Sequence, residues 1–254
     1  MMRLSRSVLA GAAALAIAIP LHVRSGLPEP FGVFAGDAGA HHESVRAIAG
    51  ATRLANFGGH KVSSDARYLA HWIADSRDNV ASEFVIVDKK GAAVYVFDAD
   101  ARLRATSPVL LGSAVGDASA PDIGERPLAL VLPEERTTPA GRFVAERGHN
   151  ARGEDVVWVD YDAAVSMHRV LTTNPKERRL ERLATLSVDD NRISFGCINV
   201  PVAFYEASIR PIFAARRALV YVLPDVLPVQ QVFGSYDVLE GKRSVAAKST
   251  AALR

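Results

Sequence analysis

The chain is poor in cysteine. Cys197 is the only one in 254 residues, so no intramolecular disulfide can staple the fold. Net charge is also scant, at +2 from 30 Lys and Arg against 28 Asp and Glu. The basic residues do not gather with aromatics into a stripe, so nucleic acid is not an expected partner. Apolar runs are short: the stretch Val8 to Ile19, closed by Pro20, falls below the length that spans a bilayer comfortably. Internal repeats are missing, and low complexity is confined to the Ala-rich start and the polar tail after Leu239. What is there suffices for a core: 49% hydrophobic and 23% charged residues describe a globular chain with one main domain and short appendages.

Arg3 and Arg6 precede the apolar run, the order of a secretory signal, so residues 1–25 read as a signal peptide or an uncleaved membrane anchor. Ala38-Gly39-Ala40 is a cleavage-type tripeptide, though far from the run. Export to the periplasm or cell envelope follows. There a lone thiol is an oxidation hazard and asks for a reason; a small buried apolar residue and a reactive group are equal readings of the count alone. Residues 26–63 lack sustained periodicity and read as a loosely ordered lead-in. Within it His41-His42-Glu43 has no further ligands at matched spacing, so no metal site is expected and no cofactor is called for.

From Ser64 the pattern is helical, with Tyr68, Leu69, Trp72 and Ile73 on one face; Trp72 and His71 read as packing residues. From Glu83 it turns to β: Phe84 to Asp88, a Lys89-Lys90-Gly91 turn, Ala93 to Phe97, then a third strand from Leu103. Further strands are expected at Leu128 to Leu132, Gly141 to Ala145, Val156 to Val159, Ala164 to Met167 and Ala218 to Leu223. Asn174-Pro175-Lys176-Glu177 opens a short charged helix predicted to run to Ala184, and Pro201 to Phe213 is a second. The fold class is α+β, mainly β, with a curved or sandwich-like sheet.

Cys197 follows a glycine and precedes a predicted helix, in Ile193-Ser194-Phe195-Gly196-Cys197-Ile198-Asn199-Val200-Pro201. Glycine allows a tight bend and close approach of a substrate carbonyl, and nearby helix-end amides favour the thiolate. An imidazole beside it can take the thiol proton and return it to a leaving amine. His168, at the end of an apolar strand, is a candidate, but spacing does not choose it among seven histidines.

Ser194-Phe195-Gly196-Cys197-Ile198-Asn199 resembles the catalytic signature of the L,D-transpeptidase catalytic-domain family, a Ser/Thr-His-Gly-Cys-apolar-Asn/Arg segment downstream of a catalytic His. Thr138-Pro139-Ala140-Gly141-Arg142-Phe143 is similar to the family's Thr-Pro-x-Gly-x-Phe segment, and the hairpin at 84–97 with Pro108 to Gly112 resembles its opening strands. The resemblance covers about residues 82–224 and implies a β-rich sandwich with one helix beside the cysteine, set within a domain spanning 64–240 and followed by a polar tail at 241–254. It implies Cys197 as nucleophile, His168 as base, Ser194 near the imidazole, and the Gly196 and Cys197 amides as oxyanion donors. The chain departs from the family at Phe195, where His is usual, at Arg169, where Gly or Ser is common, and in a longer interval between His168 and Cys197.

The implied reaction is acyl transfer on peptidoglycan stem tetrapeptides: a thioester forms on Cys197 with loss of D-alanine, and an amine resolves it. Water as acceptor makes the same machinery an L,D-carboxypeptidase; a catalytically decayed wall-binding protein is the non-enzymatic alternative. Arg142, Arg169 and Arg192, beside the motif segments, and Asn199 are candidates for holding the stem peptide. The Thr138-to-Gly141 segment also reads as a turn that shapes the cleft without handling protons.

Overall fold

A computed structural model of the protein describes residues 52–214 and 216–240. The predicted signal or anchor at 1–25, His41-His42-Glu43 and the tail at 241–254 lie outside the described residues. Among those that are described, no helix is long and apolar enough to cross a membrane.

The strands are β1 (Phe84–Asp88), β2 (Ala93–Phe97), β3 (Leu103–Pro108), β4 (Leu111–Gly112), β5 (Gly141–His149), β6 (Asp155–Asp160), β7 (Val165–Arg169), β8 (Arg192–Ser194), β9 (Ile198–Val200) and β10 (Ala218–Val222). Eight of them form one sheet in the order β3-β2-β1-β10-β5-β6-β7-β9, while β4 and β8 pair separately. The β1–β2 turn forms because Asp88 Oδ1 accepts from the Gly91 amide at 2.9 Å, an Asx-type closure. Beyond β3 the chain reaches the far edge of the sheet: Leu110 and Asn199 exchange backbone hydrogen bonds of 2.9 and 2.8 Å. The sheet therefore curls until its two ends are tied, which leaves few open strand edges.

Alternation along the strands sorts the core. Val85, Val87, Val94, Val96, Val220 and Val222 face inward, where Met167, Ile198 and Tyr205 meet them. Phe84, Ile86, Tyr95, Phe97, Leu219 and Tyr221 face outward and are covered by the helix α1 (Ser64–Ser76). This is why β1 and β10 read as unbroken apolar runs: both of their faces are buried. Leu69 and Ile73 of α1 are wholly buried, and each contributes about 1.5–3 kcal/mol by leaving water. The cap of α1 is Ser63, one residue before the expected start, whose hydroxyl accepts from the Ala66 amide at 3.1 Å. The described end of the lead-in joins this layer, with Ala55 and Phe57 buried and Asn56 bridged to Arg102.

The expected mainly β domain with a curved sheet and short helices is what forms. Several elements differ in detail. Leu128–Leu130 is a 3-10 turn rather than a strand, because Pro127 and Pro133 bracket it and Leu128 and Leu130 have no sheet to enter and stay exposed. The charged helix expected from Pro175 is broken: a 3-10 turn at Pro175–Glu177 ends on Arg178 in the left-handed region, φ 49°, and α2 (Arg179–Ala184) starts afterwards. The second expected helix is an α turn, α3 (Val202–Phe204), passing into a π turn at Tyr205–Ile209. β7 continues to Arg169, so His168 lies inside a strand instead of ending one.

Candidate active site

Cys197 sits in the short link between β8 and β9. The link can turn there because Gly196 adopts φ +132°, a conformation closed to most side chains, and a Cβ at that position would stand 2.7 Å from the Thr137 carbonyl oxygen. Two hydroxyl side chains fix it. The Ser194 hydroxyl donates to the Cys197 carbonyl at 2.7 Å and accepts from the Gly196 amide at 3.1 Å. The fully buried Thr138 hydroxyl donates to the Gly196 carbonyl at 2.8 Å and accepts from the Gly112 amide at 2.9 Å.

β7 and β9 run parallel with Met167 opposite Ile198 and His168 opposite Asn199. Side chains two apart on a strand share a face, so Ser166 and His168 of β7 stand on the same side as Cys197 and Asn199. The Ser166 hydroxyl lies 3.6 Å from Cys197 Sγ. The His168 Nδ1 lies 2.7 Å from the Arg169 carbonyl oxygen. A carbonyl only accepts, so Nδ1 carries the proton and Nε2 is the ring's free basic nitrogen.

The electrostatics couple the pair. Burial pushes the Cys197 thiol up, but the imidazole of His168, through a hydrogen bond and its charge, and then Ser166 bring it below the ordinary thiol value. For His168, burial pulls the imidazole down, yet the hydrogen bond and charge of Cys197 and the Arg169 carbonyl hold it above its usual value, against the opposing charge of Arg179. Each partner stabilises the charged form of the other, the arrangement that yields a thiolate beside an imidazolium. Cys197 is half-buried rather than sealed.

Arg179, from the insertion between His168 and Cys197, reaches back into the site. Its Nη1 donates to Asn199 Oδ1 at 2.6 Å, and Asn199 Nδ2 donates to the Cys197 carbonyl at 3.1 Å. Glu177 accepts from Arg179 Nε at 2.5 Å. On the other flank Lys89, its side chain fully buried, donates to the Thr138 carbonyl at 2.9 Å and pairs with Asp117 at 3.0 Å and Asp225 at 3.2 Å. The segment carrying the Gly196-binding threonine is thus held by a buried ionic cluster.

The structure brings Cys197, His168, Ser194, Gly196 and Asn199 into one region. Ser194 binds the loop that carries Cys197, and the Gly196 amide, an expected oxyanion donor, donates to Ser194 Oγ. Asn199 serves the cysteine carbonyl, with Arg179 behind it. The three arginines singled out for a substrate carboxylate are all engaged by acids of the protein: Arg142 by Asp78 at 2.7 Å, Arg169 by Glu206 at 2.6 Å, and Arg192 by Asp225 at 2.6 Å. Sequence reasoning missed Ser166, Arg179, Lys89 and the hydroxyl role of Thr138. Only Ser166 left a usable signal, two positions before His168 on the same strand. Among the described residues, no group of three or more His, Cys, Asp or Glu is placed to hold a metal ion.

No protein-family model matches the chain, and no curated protein matches it. Solved structures with a similar arrangement do. The helical cell shape determining protein Pgp2 from Campylobacter jejuni is 14% identical, with a TM-score of 0.38, over 59% of this chain and 51% of that one. An L,D-transpeptidase from Xylanimonas cellulosilytica is 14% identical, TM-score 0.34, over 56% of this chain and 60% of that one. The Enterococcus faecium L,D-transpeptidase is 15% identical, TM-score 0.31, over 56% of this chain and 50% of that one. This chain spans about half to three fifths of the length of these structures.

Proposed function

We propose that this chain is a cysteine acyltransferase of the L,D-transpeptidase kind, exported to the periplasm or cell envelope and acting on peptidoglycan stem peptides. The observation that carries the reading is the His168–Cys197 pair: an imidazole with its Nδ1 proton held by the Arg169 carbonyl, beside a half-buried thiol whose proton affinity it lowers.

In this reading the Cys197 thiolate attacks the carbonyl carbon of the amide between the L-centre of the third stem residue and the terminal D-alanine. The C–S bond forms as the carbonyl electrons move to oxygen. Collapse of that intermediate breaks the C–N bond, and imidazolium His168 gives its proton to the departing nitrogen, releasing D-alanine and leaving a thioester. An amine of a second stem then attacks the thioester, His168 takes the amine proton, and the C–S bond breaks to restore the thiolate. With the Gly196 amide donating to Ser194, the Cys197 amide is the remaining one of the two backbone donors expected for the oxyanion.

Incubation with a purified tetrapeptide muropeptide tests this. The expected result is release of D-alanine together with a mass increase on Cys197 equal to the tripeptide acyl group, and neither with Cys197→Ala. D-alanine release undiminished in Cys197→Ala overturns the assignment. Tripeptide product without cross-linked product makes water the acceptor and the protein an L,D-carboxypeptidase.

A further inference from the structure

Phe195 stands two residues before the nucleophile and keeps 38% of its surface exposed. Arg136 lies over it, the guanidinium carbon 4.1 Å from the ring centroid. Stacking of this kind orients a guanidinium without neutralising it. The Arg136 backbone is fixed as well, since its carbonyl accepts from the Ala114 amide at 3.0 Å and packs so closely on Gly112 that a Cβ there would meet it at 2.3 Å. The next residue, Thr137, supplies the carbonyl against which Gly196 is pressed.

Among the described residues Arg136 has no acidic partner, unlike three other arginines near the site. Arg169, Arg179 and Arg192 are bound to Glu206, Glu177 and Asp225. The carboxylate next to Arg136 in sequence, Glu135, is taken by Arg126 at 2.9 Å. Among the described residues the Arg136 guanidinium has one hydrogen-bond partner, the Val131 carbonyl, which accepts from Nη2 at 3.2 Å, and Nε is buried without one. A half-buried cation with an unfilled donor beside a nucleophile is an anion site awaiting its ligand.

We propose that Arg136, laid on Phe195 at the mouth of the site, receives a free carboxylate of the acyl donor, that of the terminal residue expelled as the amine. The inference rests on the acyl-transfer reading and deepens it by naming the group that selects the donor. The carboxylate of a leaving residue lies a few bonds from the scissile carbonyl, and Arg136 is stacked on the residue two positions before the thiol. Phe195, where the resembling family has His, then acts as the platform that keeps the cation in place in the absence of a fixed counter-carboxylate.

The test uses the whole chain and two probes of Cys197 of nearly equal size, anionic iodoacetate and neutral iodoacetamide, in about 1 M salt, where charges beyond roughly 3 Å are screened. The iodoacetate-to-iodoacetamide rate ratio is expected to fall on the order of fivefold in Arg136→Gln, as for loss of one partly exposed ion contact, and to be kept in Arg136→Lys. Phe195→Leu, which frees the cation without removing it, is expected to lower the ratio as well and serves where Arg136→Gln does not fold. A ratio unchanged in both variants, with iodoacetamide still reacting rapidly, overturns this inference and leaves the acyl-transfer reading standing. If wild-type Cys197 reacts with iodoacetamide no faster than an ordinary free thiol, both fall together.

Discussion

The hydroxyl of Thr138 binds the carbonyl of Gly196 at 2.8 Å across 58 residues of chain, and this bond couples the first half of the domain to the loop that carries Cys197. The same oxygen accepts from the Gly112 amide, so Thr138→Val strands a buried donor and a buried acceptor at once. The expected loss is about 2–3 kcal/mol of unfolding free energy in urea, with slower alkylation of Cys197 in the protein that remains folded. Unchanged stability together with unchanged alkylation contradicts this role.

Gly196→Ala meets two obstacles: φ of +132° and a carbonyl oxygen 2.7 Å from the new methyl group. Backbone strain of this kind costs about 1–3 kcal/mol, and relief requires the loop to move. Urea titration is expected to show the loss, and thiol labelling to show Cys197 no longer activated even where the chain is folded.

The pH dependence of alkylation reads the His168–Cys197 coupling directly. Because the imidazole holds the thiol below its ordinary value, wild-type Cys197 is expected to keep reacting as the pH is lowered past the point where a free thiol falls silent. In His168→Ala the profile moves up in pH. Coincident profiles for the two proteins rule the coupling out.

How much of this was legible in the sequence depends on the range of the interaction. The hairpin at 84–97 declared itself through alternating valines and aromatics around a Gly turn, and Cys197 through its glycine and its solitude. Arg179 did not, because its partner Asn199 lies across an insertion whose path only folding decides, and a charged helix reads as solvated when viewed alone. Lys89 was hidden in a similar way: Lys-Lys-Gly has the composition of an exposed turn, and nothing local reveals that Asp117 and Asp225 converge on one of the two lysines.

Arg179→Leu tests that hidden contact. The Arg179 charge disfavours protonation of His168, so its removal is expected to raise the pH at which the imidazole titrates, observable in its proton NMR signals. The same change frees Asn199 Oδ1, and Arg179→Lys is expected to restore the charge effect while restoring that hydrogen bond only in part. An imidazole titration unmoved by Arg179→Leu removes the arginine from the site.

The Asp117 carboxylate is expected to contribute to acid stability. Burial raises its proton affinity, but the amides of Leu227 and Asp225, the Lys89 ammonium and the Val226 amide overcome this and hold it at about 2, against 3.8 unperturbed. A folded value below the unfolded one stabilises the protein above pH 3.8 and ceases to do so as the pH falls through about 2. The contribution is on the order of 2 kcal/mol. Asp117→Asn is expected to be less stable near neutrality and to show a shallower fall in urea-derived unfolding free energy between those two pH values. A slope equal to that of wild type excludes Asp117 as the titrating group.

The bond pair between Leu110 and Asn199 that ties the two sheet ends is made by the residue whose side chain also steadies Cys197. Ring closure and the placement of Cys197 therefore share Asn199, and both require chain segments far apart in sequence to have met. Until then the sulfur lacks the imidazole beside it and its turn, and is expected to react as an ordinary thiol. On the acyl-transfer reading proposed above, an activated thiol arrives only with the finished architecture.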